Sequence, residues 1–337
     1  MSFAPWYAEM TTLGKCIRGE KHGASRRMPA AVWLLLPVFC PIAAGLAPRS
    51  VAPPSDRPLA RIVNPEVARY YRRFGTIVDE SPATLKRKIP GLKAMIPAAS
   101  QEPLAAILQN AGSRAEHYFH SLPDIICRED IDSWIRIPNG FSRETRERFN
   151  YMIVPVSHNG LITLREYRTN PQGKRYGLAA PPDRTMLTEG FAQAPQYLLP
   201  VNRAGTEFRY LGTDRFHGSD AQVVAFAQDP WKTAMWTTFQ LPGGMHRLYM
   251  QGVFWLDPSS FQVLRAWHTM LAPRPDFGLT TETTDVIFAP VRFRGLPEPH
   301  WLPRRVTVNV VLNGVRYRND GVYSRYNQFQ VSTKVLP

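Results

Sequence analysis

Two histidines, His117 and His120, lie three residues apart in the amphipathic stretch 101–122. On a helix this spacing puts both imidazoles on one side, where they could share a metal ion. A zinc site needs three or four protein ligands or an open position built from three. No third ligand is identifiable by spacing, so boundary or surface positions account for the pair and no metal is expected. Cys127, in the run IICRED, could act as a nucleophile, but no partner motif accompanies it. A small buried residue on a strand fits its neighbours Ile125 and Ile126. Glu282 and Asp285 in TETTD could divide acid and base work, yet nothing places a partner beside them, and a solvated strand edge is the expected setting. Asp257, Ser259 and Ser260 form the run DPSS, which an Asx turn explains. The chain has no nucleophile elbow, P-loop, dinucleotide fingerprint, HExxH or EF-hand loop. No cofactor is expected, and a non-enzymatic protein is the leading expectation.

The elements that would position these residues are mainly strands. The last third of the chain reads as a contiguous antiparallel meander. Leu248–Asp257 and Phe261–Leu271 are β-branched and aromatic runs joined by the Pro258-Ser259-Ser260 turn. Thr284–Phe293, Trp301–Leu312, Val315–Tyr317 and Val322–Val331 follow, with Asn313-Gly314 as a strong hairpin signal. Upstream, Ile125–Ile135, Asn150–Val156, Leu161–Arg168, Phe208–Leu211, Ala221–Ala227 and Met235–Leu241 also have β character, and Thr185–Ala194 reads as a short helix. In 101–122 the residues Leu104, Ile107, Leu108, Ala111, Ala115, Tyr118, Phe119 and Leu122 recur at spacings of three and four. That pattern is one helical stripe that must be buried, and the sheet is the surface available to it. Two shorter helices precede it, one from Asn64-Pro65 and one from Ser81-Pro82.

The N-terminus carries compartment information. Residues 1–27 are a polar extension, with Met28 an alternative start. Residues 28–47 (MPAAVWLLLPVFCPIAAGLA) combine preceding basic residues, an apolar run and a small-residue end. This is the pattern of a secretory signal peptide, and Pro37 and Pro41 argue against a stable spanning helix. Residues 48–63 are a Pro-rich linker. Of the three cysteines, only Cys127 would remain after cleavage, so the fold must stand without an intramolecular disulfide. The net charge of +14 comes from scattered arginines and lysines without zinc-finger spacing or RNA-binding aromatic motifs. Attraction to an anionic membrane or cell-wall surface fits this charge, and no nucleic-acid partner is expected.

Four runs carry a family resemblance: QEPLAAILQNAGSRAEHYFHSLPDIICRED, then GVFWLDPSSFQVLRAW, then VIFAPVRFRG with HWLPRRVTV, then YRNDGVYSRYNQF. In this order they resemble a group of uncharacterised secreted bacterial proteins, over most of residues 95–331. The hairpin with Gly252, Asp257 and Arg265 is also similar to the lipoprotein-carrier (LolA-like) half-barrel. That resemblance implies an antiparallel sheet curved around helices, with an apolar concave face for acyl chains. The sequence departs from that family in its long helical N-terminal segment and in the 169–200 loop region.

The expected architecture is α+β: a helical segment at 64–123, then an antiparallel β domain at 124–337 with a loop and short-helix insertion at 169–200. The sheet is large, curved and half-barrel-like, packed on the amphipathic helix. The expected role is an exported, periplasmic or extracellular binding or carrier protein for an apolar or lipid-like ligand. Its candidate lining is Ile107, Ala111 and Phe119 on the helix with Val253, Trp255, Trp267, Val308 and Val310 on the sheet. The alternatives are an envelope scaffold, or an envelope hydrolase using His117, His120 or Cys127. Export is directly testable. N-terminal sequencing of the exported protein should find a mature chain beginning between about Ala44 and Pro54. An intact Met1 or Met28 on a soluble cytoplasmic protein would contradict it.

Overall fold

The computed structural model describes residues 65–138, 140–158, 161–176, 188–241 and 244–329. The expected extension at 1–27, the signal peptide at 28–47 and the linker at 48–63 lie outside the described residues. In chain order the helices are α1 (Pro65–Tyr71), α2 (Pro82–Lys88), α3 (Leu104–Ser121) and α4 (Pro200–Arg203). The strands are β1 (Ile96–Pro97), β2 (Ile125–Arg136), β3 (Ser142–His158), β4 (Leu161–Thr169), β5 (Arg175–Tyr176), β6 (Thr206–Phe216), β7 (Ser219–Gln228), β8 (Thr237–Leu241), β9 (Gly244–Leu248), β10 (Met250–Leu256), β11 (Val263–Met270), β12 (Leu279–Val291), β13 (His300–Leu312) and β14 (Val315–Gln328).

Twelve of these strands form one antiparallel sheet in the order β1-β6-β7-β10-β11-β12-β13-β14-β2-β3-β4-β5. Among the described residues the sheet is open, with β1 and β5 at its edges. The expected meander is its central run, β10 to β14, each strand paired with the next. At Asn313-Gly314 both residues have positive φ, 50° and 78°, which matches the turn that suits the right-handed twist of a two-residue hairpin. The last strand then pairs with β2, so the chain's end closes onto the strand that follows α3. β8 and β9 form a separate hairpin. The expected strand Met235–Leu241 belongs there, and the expected Leu248–Asp257 begins at Met250 because Leu248 ends β9. The expected helix Thr185–Ala194 is not a helix over its described part. The helical turns fall later, as a 3-10 turn at Ala194–Leu198 and as α4, each with a proline, Pro195 or Pro200, in its first turn, where a missing N–H costs nothing.

Alternation splits the apolar residues of the sheet between two faces. On the first, Ile107, Ala111, Ala115 and Phe119 of α3 join Ile125, Tyr151, Phe226, Phe254, Phe288, Val308 and others in one buried cluster. On the second, Tyr71, Leu85, Ile89, Leu92 and Met95 of the α1–α2 segment cover Val223, Ala225, Val253 and Trp255. Every residue of β10 is buried, because β10 lies where both faces are covered. β2 instead alternates buried and half-buried along nearly its whole length, the pattern of a strand covered on one face only.

The second face of the sheet carries specific polar contacts between its strands. Trp255 Nε1 donates to Asp214 at 3.0 Å. Arg265 stacks over the Trp255 ring at 4.6 Å and grips Asp285 through two bonds of 2.8 and 2.6 Å. Its neighbours in the sheet, β7 and β11, crowd β10 so closely that Gly252 has no room for a side chain. A Cβ there would stand 2.4 Å from the carbonyl oxygen of Trp267 and 2.6 Å from the Phe226 ring. Gly252→Ala should therefore destabilise the protein by about 1–3 kcal/mol through forced displacement of β11 or Phe226, read from denaturant melts. An unchanged midpoint would contradict the close packing of β7, β10 and β11.

Candidate ligand-binding face

The first face is the candidate site, because it is a largely apolar surface reaching from β7 to β3. Its cover is one long helix, α3, the strap 188–203 that contains the 3-10 turn and α4, and the β8–β9 hairpin, whose Phe239 and Leu248 join the same cluster. The helix carries its own stripe toward the sheet, as its periodicity requires. The seam between α3 and the β10–β11 turn is lined by Ala111, Ala115, Tyr118, Phe261, Val263 and Phe288, and leaves room of only about 10 Å³, the space of a single water. That seam is thus packed shut.

Hydrogen bonds hold the strap and helix to each other and to the sheet. The Tyr118 hydroxyl donates to the Ala192 carbonyl at 3.1 Å. Arg203 donates to the carbonyls of Leu198, at 3.3 Å, and Leu108. Tyr197 stacks on Phe226 with ring centres 4.4 Å apart. The strongest tie is a buried carboxylate, Glu166, which accepts from the backbone N–H groups of Gly190, Ala192 and Gln193 at 3.1, 3.3 and 3.2 Å and from the Tyr151 hydroxyl. Burial pushes its carboxyl above the usual range, and these donors oppose that shift.

Beside it lies a second buried pair. Arg168, 1% exposed, donates to both oxygens of Glu129, 0% exposed, at 2.5 and 2.7 Å. The Tyr323 hydroxyl also donates to Glu129. Removing one partner of such a pair leaves an uncompensated charge, which is why buried ion pairs fix geometry more than they add stability. A third buried carboxylate, Glu282, accepts from the Thr284 hydroxyl at 2.7 Å. Burial raises its pKa to about 7.

Several expectations are resolved by these positions. Glu282 is not on a solvated strand edge. β12 is an interior strand of the sheet and Glu282 faces the covered side, so the carboxyl is buried, whereas Asp285 faces the opposite side and pairs with Arg265. Asp257 is the Asx-turn residue, accepting from the backbone N–H groups of Ser259 and Ser260 at 3.1 and 2.7 Å. Cys127 is buried, and burial, then Glu129, drives its thiol far above its ordinary value. A thiol held protonated is a poor nucleophile. His117 and His120 are exposed, and no group of three or more metal-ligating side chains occurs among the described residues.

The eight residues expected to line a pocket do not share one space. Ile107, Ala111, Phe119, Val308 and Val310 meet in the first cluster. Val253 and Trp255 belong to the second cluster, with Trp267 packed against it, under α1 and α2. The alternation that separates Val253 from Phe254 is readable in the sequence, but which parity faces α3 depends on the twelve-strand pairing. The residues overlooked were Glu129, Glu166, Arg168, Tyr151 and Tyr323. One signal was present: Glu129 has the same parity as Ile125, Cys127 and Ile131, so a charge stands at a core position of β2.

No family model and no curated protein matches the chain. Similar solved structures include a DUF1329 family protein from Desulfovibrio piger, 10% identical over 67% of this chain and 93% of that one, with a TM-score of 0.37. A LolA superfamily protein from Nitrosomonas europaea is 13% identical over 67% of this chain and 94% of that one, with a TM-score of 0.32. The lipoprotein LppX of Mycobacterium tuberculosis is 9% identical over 68% and 99%, with a TM-score of 0.23. None of them gives a residue of this chain a role.

The buried state of Glu282 makes a pH prediction. An acid whose folded pKa is raised from 4.5 to about 7 stabilises the fold fully below about pH 4.5, and that contribution is lost as pH rises through 7. Glu282→Gln lacks this loss. Its stability relative to the parent should therefore increase between pH 4.5 and 7.5, by on the order of 3 kcal/mol. A difference that stays flat across that range would show Glu282 to be solvated.

Proposed function

We propose that this chain is an exported, non-enzymatic binding or carrier protein for an apolar or lipid-like ligand, held on the α3 face of a curved, half-barrel-like sheet. The observation that carries the reading is the largely apolar face from β7 to β3, interrupted by the buried Glu282 and Glu129, under a cover of α3, the strap and the β8–β9 hairpin. A ligand would enter by displacing α3 and the strap, with Ile107, Ala111, Phe119, Val308 and Val310 as its lining. Val253, Trp255 and Trp267 serve the opposite layer and are not part of this lining. The net charge of +14 would favour residence at an anionic membrane or wall surface.

Phe119 is the test position, since it is 3% exposed and part of the buried stripe of α3. Phe119→Ala should cost about 3–5 kcal/mol in denaturant melts through lost burial and a cavity. The parent protein should in addition bind dodecanol saturably, with the alcohol displacing a fluorescent apolar probe. The full stability loss together with no binding of either molecule by the parent would reduce the face to plain core and overturn the reading.

A further inference from the structure

The ladder between β13 and β14 runs from Leu312 opposite Val315 to Arg305 opposite Val322, and there the strands part. Beyond that point the start of β13 pairs only with β12, and the end of β14 pairs only with β2. The split opens a cleft of about 280 Å³. Pro303 supplies part of the reason, for it has no N–H to give a ladder.

Both strands carry a β-bulge at this level. On the β12–β13 ladder Ile287 faces Arg305 and Phe288 faces Pro303, which leaves Arg304 as the extra residue. On the β14–β2 ladder Ser324 faces Arg128 and Asn327 faces Ile126, so Arg325 and Tyr326 together stand against Cys127 alone. Bulges re-aim side chains and end pairing, and here both re-aimed positions include an arginine that lines the cleft. Arg325 adopts φ 56°, a left-handed conformation that a long side chain rarely takes without a reason in its surroundings.

The cleft is built with two kinds of surface. Arg304 donates to the Tyr323 carbonyl at 3.2 Å and the Tyr326 hydroxyl to the Pro303 carbonyl, which stitches its two walls together. No carboxylate occurs among its described lining residues, so the other donors of the two guanidiniums face no counter-charge there. Its floor includes Leu302, a member of the first apolar cluster, and Val291 and Tyr326 pack against that same cluster. Guanidinium forks suit phosphate and carboxylate oxygens. The volume falls just below the roughly 300–1,000 Å³ of pockets that enclose a whole small ligand, which fits a headgroup with the first part of a chain.

We propose that the split between β13 and β14 anchors the anionic headgroup of an amphiphile, phosphate or carboxylate, between Arg304 and Arg325, with its chain running onto the apolar face. This rests on the carrier reading above. The cation pair sets the class of ligand that the apolar face would accept, favouring anionic over neutral amphiphiles.

Calorimetric titration of the full chain with dodecyl phosphate, dodecanol and inorganic phosphate at fixed ionic strength tests this. The parent should bind dodecyl phosphate at least about tenfold tighter than either other probe, equivalent to one charge-assisted contact or more. The double variant Arg304→Gln/Arg325→Gln should lose that advantage and keep its affinity for dodecanol. Arg325→Gly gives a second check that does not depend on a fragile fold. Glycine takes positive φ freely, so its Tm should be no lower than the parent's while dodecyl phosphate binding weakens. Equal binding of dodecyl phosphate and dodecanol in parent and variants would overturn the headgroup site and leave the carrier reading standing. Inorganic phosphate bound as tightly as dodecyl phosphate would overturn the amphiphile as the ligand. Failure of dodecanol and dodecyl phosphate alike would remove the carrier reading as well.

Discussion

β10 is buried along its entire length on both faces, and that constraint organises the rest of the protein. A strand with no solvent-facing side needs a layer above and a layer below it. The chain supplies the lower layer from α1, α2 and Met95, which precede the first long strand, and the upper layer from α3, the strap and the β8–β9 hairpin. The two layers differ in what they must hold. The lower one covers a compact patch centred on Val253 and Trp255. The upper one lies on an apolar surface that continues well past β10, across β12 to β14 and on to β2 and β3, which is why only the upper face is a candidate for a ligand.

The upper layer is also where the buried polar groups gather. Glu166 receives three backbone N–H groups of the strap, and unsatisfied N–H groups at this depth would be costly. Arg168 donates two bonds to Glu129 beside it. Such groups specify where the strap sits more than they stabilise it. A cover positioned by a few satisfied polar ties, over a surface that is otherwise apolar, has one defined closed arrangement and a limited set of bonds to break on opening.

Much of the sheet was legible because local rules and the global fold agree. Asn313-Gly314 demanded a two-residue hairpin, Asp257 with its two serines demanded an Asx turn, and the spacing from Leu104 to Leu122 demanded a buried helical face. The failures share a cause. Whether Val253 or Phe254 looks toward α3, and whether Glu282 is wet or dry, is decided by what covers each face: β12 lies between its sequence neighbours β11 and β13, but the helix that covers one of its faces, α3, comes from far upstream. The short helix expected at 185–194 failed differently, because Pro195 and Pro200 each set a helical first turn just downstream. The bulges at Arg304 and Arg325 left no pattern at all in a two-residue period, since a bulge is a departure from that period.

The central claim is that the upper layer is a displaceable cover while the lower layer is permanent core. Native-state hydrogen exchange measures this most directly, because regions that open independently exchange with a free energy below that of global unfolding. The account predicts that the amides of α3 and of 194–203 exchange through a shared opening of lower free energy than those of β10 to β14, and that α2 on the opposite face does not join that opening. Exchange of α3 only through global unfolding, at the same free energy as β10, would contradict it.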